Sequence, residues 1–210
     1  MDSQLITGVI LLFILSFLLW WNLRLQALNR NLLRSEGELK ETLETDPLTG
    51  LGNRIAMTRL RDSAEPINGV VTVIDLDEMK RINDELGHLA GDEVLSEVGN
   101  LIRASVRRED VACRWGGDEF VILFRNKSLE TVENRMQQIQ ARLWRFRLRS
   151  FGVFPLRISW GAAEARETPL AEALAAADER MYRMKRSRKS SAAKPLRSAL
   201  SPSARLVEEK

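Results

Sequence analysis

The sequence of 210 residues has a single cysteine, Cys113, so no disulfide can form within the chain. A disulfide framework of the kind that holds small secreted domains together is excluded, and cysteine usage gives no indication of an oxidising compartment. A large excess of one charge is also lacking, since 32 basic residues face 29 acidic ones. The basic residues still cluster after the first hydrophobic segment and at 185–189, a pattern that fits lipid, phosphate ligands or nucleic acid. With 44% hydrophobic residues, the chain is long enough for one globular domain and accessory segments.

The run Leu5–Leu23 lacks any charged side chain. As a helix it would span roughly 28 Å, close to the hydrocarbon thickness of about 30 Å in a bilayer. Trp20 and Trp21 stand where an interfacial aromatic belt belongs, and basic residues follow from Arg24 onward. The sequence therefore predicts a transmembrane anchor over 1–23, with the rest of the chain in the cytoplasm. A cleavable signal peptide is the alternative, but a basic amino-terminal region and a small-residue cleavage site are not evident.

Residues 24–45 are polar with a thin apolar seam. Leu25, Leu32 and Leu39 recur at intervals of seven, which is typical of a short and imperfect heptad repeat. The segment is therefore predicted to be a juxtamembrane helical linker. It either forms a short parallel coiled coil or remains a solvated helix with incidental leucines.

Asp46-Pro47 ends the linker and begins the globular part, which we place at 46–190. Helices and strands alternate along it, which predicts an α/β or α+β domain with a central sheet. The predicted helices are Arg54–Arg61, Gly91–Val106, Leu129–Leu148 and Leu170–Arg186, and the predicted strands are Gly69–Ile74, Val111–Arg114, Phe120–Phe124 and Leu156–Ala162. Residues 191–210 lack periodicity and are basic, so a disordered tail is predicted there.

Two acidic motifs stand at the ends of predicted strands. Asp118 and Glu119 follow a Gly-Gly turn between two apolar strands, and Asp75-Leu76-Asp77 ends the most hydrophobic strand. Each motif alone is also explained as a solvated acidic loop. Together they fit Mg²⁺, a hard cation that prefers carboxylates, backbone carbonyls and phosphate oxygens. Two such ions stabilise both the attacking and the leaving oxygens in phosphoryl chemistry.

The segment Lys80–Asp92 carries polar residues that suit a purine base. A carboxylate such as that of Asp92 accepts the N1–H and N2–H₂ groups of guanine, and the amide of Asn83 meets O6 or N3. Each residue also has a local explanation: Asn83 as a turn residue, Asp92 as a helix cap, and His88 as a loop residue with a local hydrogen bond.

These motifs resemble the GGDEF family of diguanylate cyclases over about 46–190, some two-thirds of the chain. In order along the chain they are Asp46–Arg54, Asp75–Asp77 with Lys80, Asn83-Asp84, Gly87-His88, Gly91-Asp92, Gly116–Phe120, and Ala177-Asp178 with Tyr182 and Lys185. The resemblance implies the fold of nucleotide cyclases and polymerase palms, a central mixed, largely antiparallel sheet wrapped by helices. It implies condensation of two GTP into cyclic di-GMP and two pyrophosphates, with two Mg²⁺ per active site, across a homodimer. With the predicted anchor, it implies a single-pass protein of the bacterial inner membrane whose catalytic domain is cytoplasmic.

The resemblance also implies roles for individual residues. Asp118 and Glu119 would be catalytic, and Mg²⁺ would be held by Asp75, the Leu76 carbonyl, Asp118 and Glu119. Asn83, Asp92 and His88 would bind guanine, while Lys80, Lys185 and Lys189 would meet the triphosphate. Met79 departs from the family pattern, which has an aromatic residue there, and Arg188-Lys189 replace a more usual glycine and arginine.

Arg107 and Asp110 match the Arg-x-x-Asp inhibitory product site of the family. A surface ion pair is the simpler reading of this short motif, but its position five residues before the Gly-Gly turn favours product binding. A catalytically silent receptor for cyclic di-GMP remains the alternative function. Nucleic-acid binding is not expected, since the basic tail lacks aromatic residues for base stacking. Attraction of that tail to the lipid bilayer is at least as well supported.

Overall fold

A computed structural model describes residues 16–31, 33, 42–63, 67–148, 152–153, 155–166 and 168–189. The chain divides into two compact units, Met1–Leu43 and Glu44–Lys210. The predicted disordered tail at 191–210 lies outside the described residues. So do Leu32 and Leu39 of the predicted heptad seam, and the coiled coil therefore stays a prediction.

In the first unit, the structure describes a helix over residues 16–31 (α1). Polar residues are frequent in it from Asn22 onward, where the only apolar side chains are Leu23, Leu25, Ala27 and Leu28. Among the described residues no helix is long and apolar enough to cross a bilayer. This finding contradicts the predicted single-pass location in the inner membrane, which is wrong on this structure because the described helix becomes polar within two turns. Residues 1–15, where much of the predicted span falls, lie outside the described part of the chain.

The second unit is built on an antiparallel sheet with the strand order β2-β3-β1-β6. The four strands are β1 (Gly69–Leu76), β2 (Val111–Arg114), β3 (Glu119–Arg125) and β6 (Ile158–Ala165). Strand β1 pairs with β3 on one side and with β6 on the other, and it is buried over its whole length. The prediction of a doubly buried central strand is confirmed. A separate two-stranded hairpin joins β4 (Arg147–Leu148) to β5 (Gly152–Val153).

Helices cover both faces of this sheet. They are α2 (Arg54–Asp62), α3 (Met79–Leu86), α4 (His88–Ser105), α5 (Leu129–Leu143) and α6 (Leu170–Lys189). One apolar cluster joins Ile74, Phe120 and Ile122 of the sheet to α4 and α5. The other joins Val71 and Val73 to α2 and α6 on the opposite face. The fold is therefore α+β, as predicted, with β1 at the centre of two hydrophobic layers.

Helix α3 was not predicted, and its flanking residues set where it begins and ends. Glu78, just before it, adopts a left-handed conformation with φ of 65°, and Gly87, just after it, has φ of 85°. Gly87 separates α3 from α4, so α4 begins at His88 rather than at the predicted Gly91. Asp92 accordingly lies inside α4 and does not cap it. Helix α5 ends at Leu143, five residues earlier than predicted.

Candidate active site

The two acidic motifs predicted from the sequence converge at one end of the sheet. Asp75, near the end of β1, lies opposite Glu119 on β3 and opposite Ser159 on β6. The N–H of Leu76 donates to the carbonyl of Asp118 at 3.0 Å, which joins β1 to the turn that precedes β3. Antiparallel pairing of strands far apart in sequence thus brings the residues 75–77 and 118–119 together.

Asp75 is a buried carboxylate whose ionised form is disfavoured by its surroundings. Its side chain is only 5% exposed, and one oxygen accepts from Lys185 Nζ at 2.5 Å. The other oxygen, Oδ1, has no hydrogen-bond partner among the described residues. The pKa of Asp75 is raised to about 6: desolvation by burial is the largest cause, the Lys185 contact opposes it, and the negative charges of Asp118 and Asp77 add to it. The carboxylate therefore lacks compensating positive charge even with Lys185 beside it.

The pKa of Lys185 responds to the same three carboxylates. Burial lowers the pKa of Lys185, but its hydrogen bond to Asp75 and the attraction of Asp118 and Asp77 outweigh burial and raise it overall. The ammonium group is thus held in its charged form beside three carboxylates. It occupies a position that a cation of higher charge would also favour.

The donor chemistry of this corner fits a hard divalent cation. Asp75 offers an orphaned buried oxygen, and the carboxylates of Asp118 and Glu119 make no hydrogen bond or ion pair with the described residues. A Cβ on Gly116 would stand 2.7 Å from Glu119 Oε2, so this glycine leaves room for the Glu119 side chain. Within the described part of the chain, no three acidic, histidine or cysteine side chains already form a compact metal site. The carboxylates predicted as ligands are of the kind that Mg²⁺ prefers. In this structure the positive charge beside them is the ammonium group of Lys185.

Arg114 fixes the hairpin turn that carries Asp118, a role that the sequence reasoning missed. Its guanidinium donates to the Gly117 carbonyl at 2.7 and 3.1 Å and pairs with Asp46 at 3.3 Å. Burial raises the pKa of Asp46, but two hydrogen bonds from Thr49 and the charge of Arg114 outweigh it and leave the pKa below its usual value. The Asp46–Arg54 motif thus supports the turn that precedes β3.

A second set of contacts, also not foreseen, holds Asp77. Its Oδ1 accepts from the Ser159 hydroxyl at 2.6 Å, and its Oδ2 pairs with Arg188 at 3.3 Å. Asp77 therefore links the end of β1 to β6 and to α6. Nothing in the sequence pattern pairs these three residues, because more than eighty positions separate Asp77 from its partners.

The predicted guanine-binding residues lie on the adjacent helices α3 and α4. The side-chain oxygen of Asn83 is buried without a hydrogen-bond partner in the described structure, and a Cβ on Gly91 would overlap it. His88 and Asp92 are exposed at the start of α4. Lys80 is exposed on α3, and the side chain of Lys189 lies outside the described part. His88 and Asp92 are thus accessible to a ligand, whereas the side-chain oxygen of Asn83 is buried.

Arg107 and Asp110, the residues of the predicted inhibitory site, do not form an ion pair with each other in the described structure. The Asp110 carboxylate accepts the backbone N–H groups of Arg107 at 2.8 Å and Arg125 at 3.0 Å. The exposed guanidinium of Arg107 lies 3.7 Å from Glu109. Asp110 is therefore a turn-stabilising residue as well as a candidate ligand.

A groove of about 770 Å³ opens elsewhere, between α5, β6 and α6. Trp144, Trp160 and Met184 are among its lining residues. None of the predicted metal, guanine or product-binding residues lines it, but Arg188, which pairs with Asp77, does, so the groove borders the acidic corner.

The fold is thus α+β, an antiparallel sheet wrapped by helices, with carboxylates gathered where its central strand ends. Residues 43–191 match the family described as diguanylate cyclase, GGDEF domain. The chain belongs to the GGDEF family, and the resemblance seen in the sequence is confirmed.

Named relatives include enzymes of cyclic di-GMP synthesis. Diguanylate cyclase DgcS of Shewanella oneidensis is 40% identical over 149 residues, which cover 68% of this chain and 49% of that protein. Diguanylate cyclase DgcP of Pseudomonas aeruginosa is 41% identical over 106 residues, which cover 46% of this chain and 15% of that protein. The chain thus aligns with half or less of the length of these two relatives.

Solved structures share the fold. Diguanylate cyclase SiaD of Pseudomonas aeruginosa, in complex with its activator SiaC, has a TM-score of 0.72 at 26% identity, covering 88% of this chain and 75% of that one. A microbial GGDEF domain studied for its interaction with cyclic di-GMP has a TM-score of 0.62 at 34% identity, covering 71% of this chain and 94% of that one.

Proposed function

We propose that the chain is a diguanylate cyclase, which condenses two GTP into cyclic di-GMP and two pyrophosphates. The observation that carries the proposal is the convergence of Asp75, Asp118 and Glu119 at the end of β1, with an orphaned carboxylate oxygen and Lys185 at the same corner. Family membership supports the substrate and product.

The acidic corner would hold two Mg²⁺ through Asp75, the Leu76 carbonyl, Asp118 and Glu119. Bound there, the ions would neutralise the triphosphate and stabilise the oxygens that attack and leave. Asp75 is preorganised by the strand pairing, so no rearrangement of the sheet is needed. Glu119 is placed across from Asp75, where its carboxylate would take the proton of a 3′-hydroxyl.

The substrate would be oriented by residues around this corner. Asn83 and Asp92 would read the guanine edge, and His88 would line the base pocket. The exposed positions of His88 and Asp92 at the start of α4, with Asn83 packed against Gly91 of the same helix, support this role. The triphosphate would meet the cationic groups Lys80, Lys185 and Lys189.

Synthesis would require two copies of the chain. Each subunit would hold one GTP, and each 3′-oxygen would attack the α-phosphate bound by the other subunit. Positioning of the two nucleotides would then supply much of the rate acceleration. The exposed guanidinium of Arg107, with Asp110, would bind the product and inhibit the enzyme.

The test is GTP turnover by the full chain with Mg²⁺, compared with Glu119→Gln and Asp118→Asn. Either variant should lose at least about a hundredfold in rate, since each removes a charge that acts on the reacting atoms. Glu133→Gln, at an exposed position of α5, is the matched control and should keep full activity. Undiminished synthesis by both site variants would refute the assignment. Cyclic di-GMP binding without any turnover by the unaltered chain would instead identify a receptor.

A further inference from the structure

Among the described strands, β6 lies at the edge of the sheet, and none of them pairs with its outer side. In the described structure, side chains take that place. Gln140 of α5 accepts the N–H of Ile158 at 3.1 Å and donates to the carbonyl of Leu156 at 3.2 Å. An uncovered edge is a template for pairing with another chain, and covering it removes that liability.

Helix α6 covers the rest of this edge through a regular series of contacts. Arg180 donates to the carbonyl of Ala162, and Arg188 donates to the carbonyl of Ile158. Between them, the N–H of Trp160 donates to the sulfur of Met184 at 3.4 Å. The three α6 residues are four apart, and the three β6 residues are two apart.

The spacing follows from the geometry of the two elements. Four helical residues rise about 6.0 Å, and two strand residues rise about 6.6 Å. Helix α6 therefore runs antiparallel to β6 in matched steps. Gly161 permits this approach, because a Cβ there would overlap the α6 backbone at Ala177 and Met181.

The last step of the series reaches the active-site corner. Besides the Ile158 carbonyl, Arg188 contacts the carboxylate of Asp77 at 3.3 Å. Lys185 lies three residues earlier, one turn of the same helix, and contacts Asp75 at 2.5 Å. Arg188 thus joins the end of α6 to the ends of β1 and β6 beside the contact between Lys185 and Asp75.

We infer that Arg188 is a positioning residue, which holds the last turn of α6 against the sheet and thereby holds the Lys185 ammonium at the acidic corner. Helix ends fray unless tertiary contacts secure them. Without Arg188, the last turn of α6 and the Lys185 side chain sample more conformations. A bound triphosphate then has to restrict them, which weakens its binding. The consequence for GTP rests on the proposed function, whereas the ordering of α6 does not.

The experiment compares Arg188→Ala and Arg188→Lys with two controls in the full chain. Arg186→Ala removes an exposed guanidinium that lies 6.0 Å from the Tyr182 ring. Arg180→Ala removes another edge contact, two turns away from Lys185. Amide hydrogen exchange of residues 184–189 measures the ordering, and GTP titration with steady-state kinetics measures its effect on substrate.

Arg188→Ala should speed exchange in the last turn of α6 about tenfold and raise the KM for GTP about threefold to tenfold, with kcat within about twofold. Arg188→Lys should lie between, because an ammonium replaces only part of the guanidinium fork. Arg186→Ala should change neither quantity, and Arg180→Ala should lower stability without changing KM. Unchanged exchange at 184–189 in Arg188→Ala would overturn the inference. Equal KM effects in Arg180→Ala would reduce Arg188 to a general stabiliser.

GTP turnover by the unaltered chain distinguishes failure of the positioning role of Arg188 from failure of the proposed function. If the chain makes no cyclic di-GMP, the proposed function fails, but exchange still decides whether Arg188 orders α6. If turnover is normal and exchange is unaffected by Arg188→Ala, the proposed function stands and only the positioning role is lost.

Discussion

At the scale of single residues, the charge balance around Asp75 carries the chemistry. Its pKa is raised to about 6, first by desolvation and then by two neighbouring carboxylates, so the folded protein holds a proton that the unfolded chain releases near pH 4. This group favours folding below about pH 4, and that contribution is lost as pH rises through about 6. At neutral pH the corner therefore gains from any added cation.

Magnesium should consequently stabilise the protein more at pH 7.5 than at pH 5. At pH 5 the Asp75 carboxyl is largely protonated and a poor ligand, whereas at pH 7.5 it is ionised. The measurement is the shift in Tm on adding MgCl₂ at each pH, for the full chain and for Asp75→Asn. The difference should vanish in Asp75→Asn and persist in Asp62→Asn, an exposed acid paired with Arg61. Equal shifts at both pH values would contradict the expectation.

Arg114 makes a second prediction at this scale. The pair of Arg114 with Asp46 is mostly shielded from water, whereas its contact with the Gly117 carbonyl is exposed, and Arg114→Ala should lower the free energy of unfolding by about 2 kcal/mol at pH 7. The pKa of Asp46 is lowered, so the stability from this pair is present above pH 3.8 and is lost as pH falls below it. Urea unfolding at pH 7 and pH 3 checks this. Arg166→Ala, which breaks an exposed pair with Glu164, should change stability by less than about 1 kcal/mol at either pH.

A functional residue can be predicted from the sequence when it stands next to a recognisable strand or turn pattern. Asp75, Asp118 and Glu119 follow strand or turn signals, and the structure brings their strands together as expected. Ser159 and Arg188 carried no such signal, because serine and arginine are common and their partner Asp77 is remote in sequence. Pairings of this kind depend on strand register, which a single sequence does not specify.

At the scale of elements, strands were predicted more closely than helix ends. The run of β-branched residues identified β1, and Gly-Gly between apolar stretches identified the β2–β3 hairpin. Helix α3 was missed although Met79, Ile82 and Leu86 have helical spacing, because eight residues make little more than two turns and give only a short pattern. Its boundaries depend on positive φ angles at Glu78 and Gly87, and only the glycine signals such a conformation.

Glycines provide a test of element packing. Gly161→Ala should cost about 1–3 kcal/mol, since a Cβ would meet the α6 backbone rather than a flexible side chain. Gly117 has open space around it, so Gly117→Ala should leave stability within about 0.5 kcal/mol. Thermal and urea unfolding of both variants give the comparison. A Gly161→Ala variant as stable as the unaltered chain would mean that α6 does not approach β6 closely.

For the whole molecule, the proposed synthesis requires two GTP sites that face each other, and one subunit would supply one of them. Under that proposal each acidic corner would bind one GTP, and bond formation would require a second corner facing it. The unit from Glu44 onward contains all but the first residue of the family match at 43–191, and its described residues form one such corner. Activity should therefore depend on how two copies associate.

Specific activity should rise with protein concentration and then level off. Far below the dissociation constant, most chains are monomers and the rate per chain grows in proportion to concentration, because the active dimer fraction obeys mass action. Initial rates over a thousandfold range of concentration, with sedimentation at the same concentrations, would show the plateau where dimers predominate. Arg107→Ala should raise late-time rates at high concentration by weakening product binding while leaving the concentration dependence of initial rates unchanged. A specific activity that is constant while the protein sediments as a monomer would rule out synthesis across two subunits.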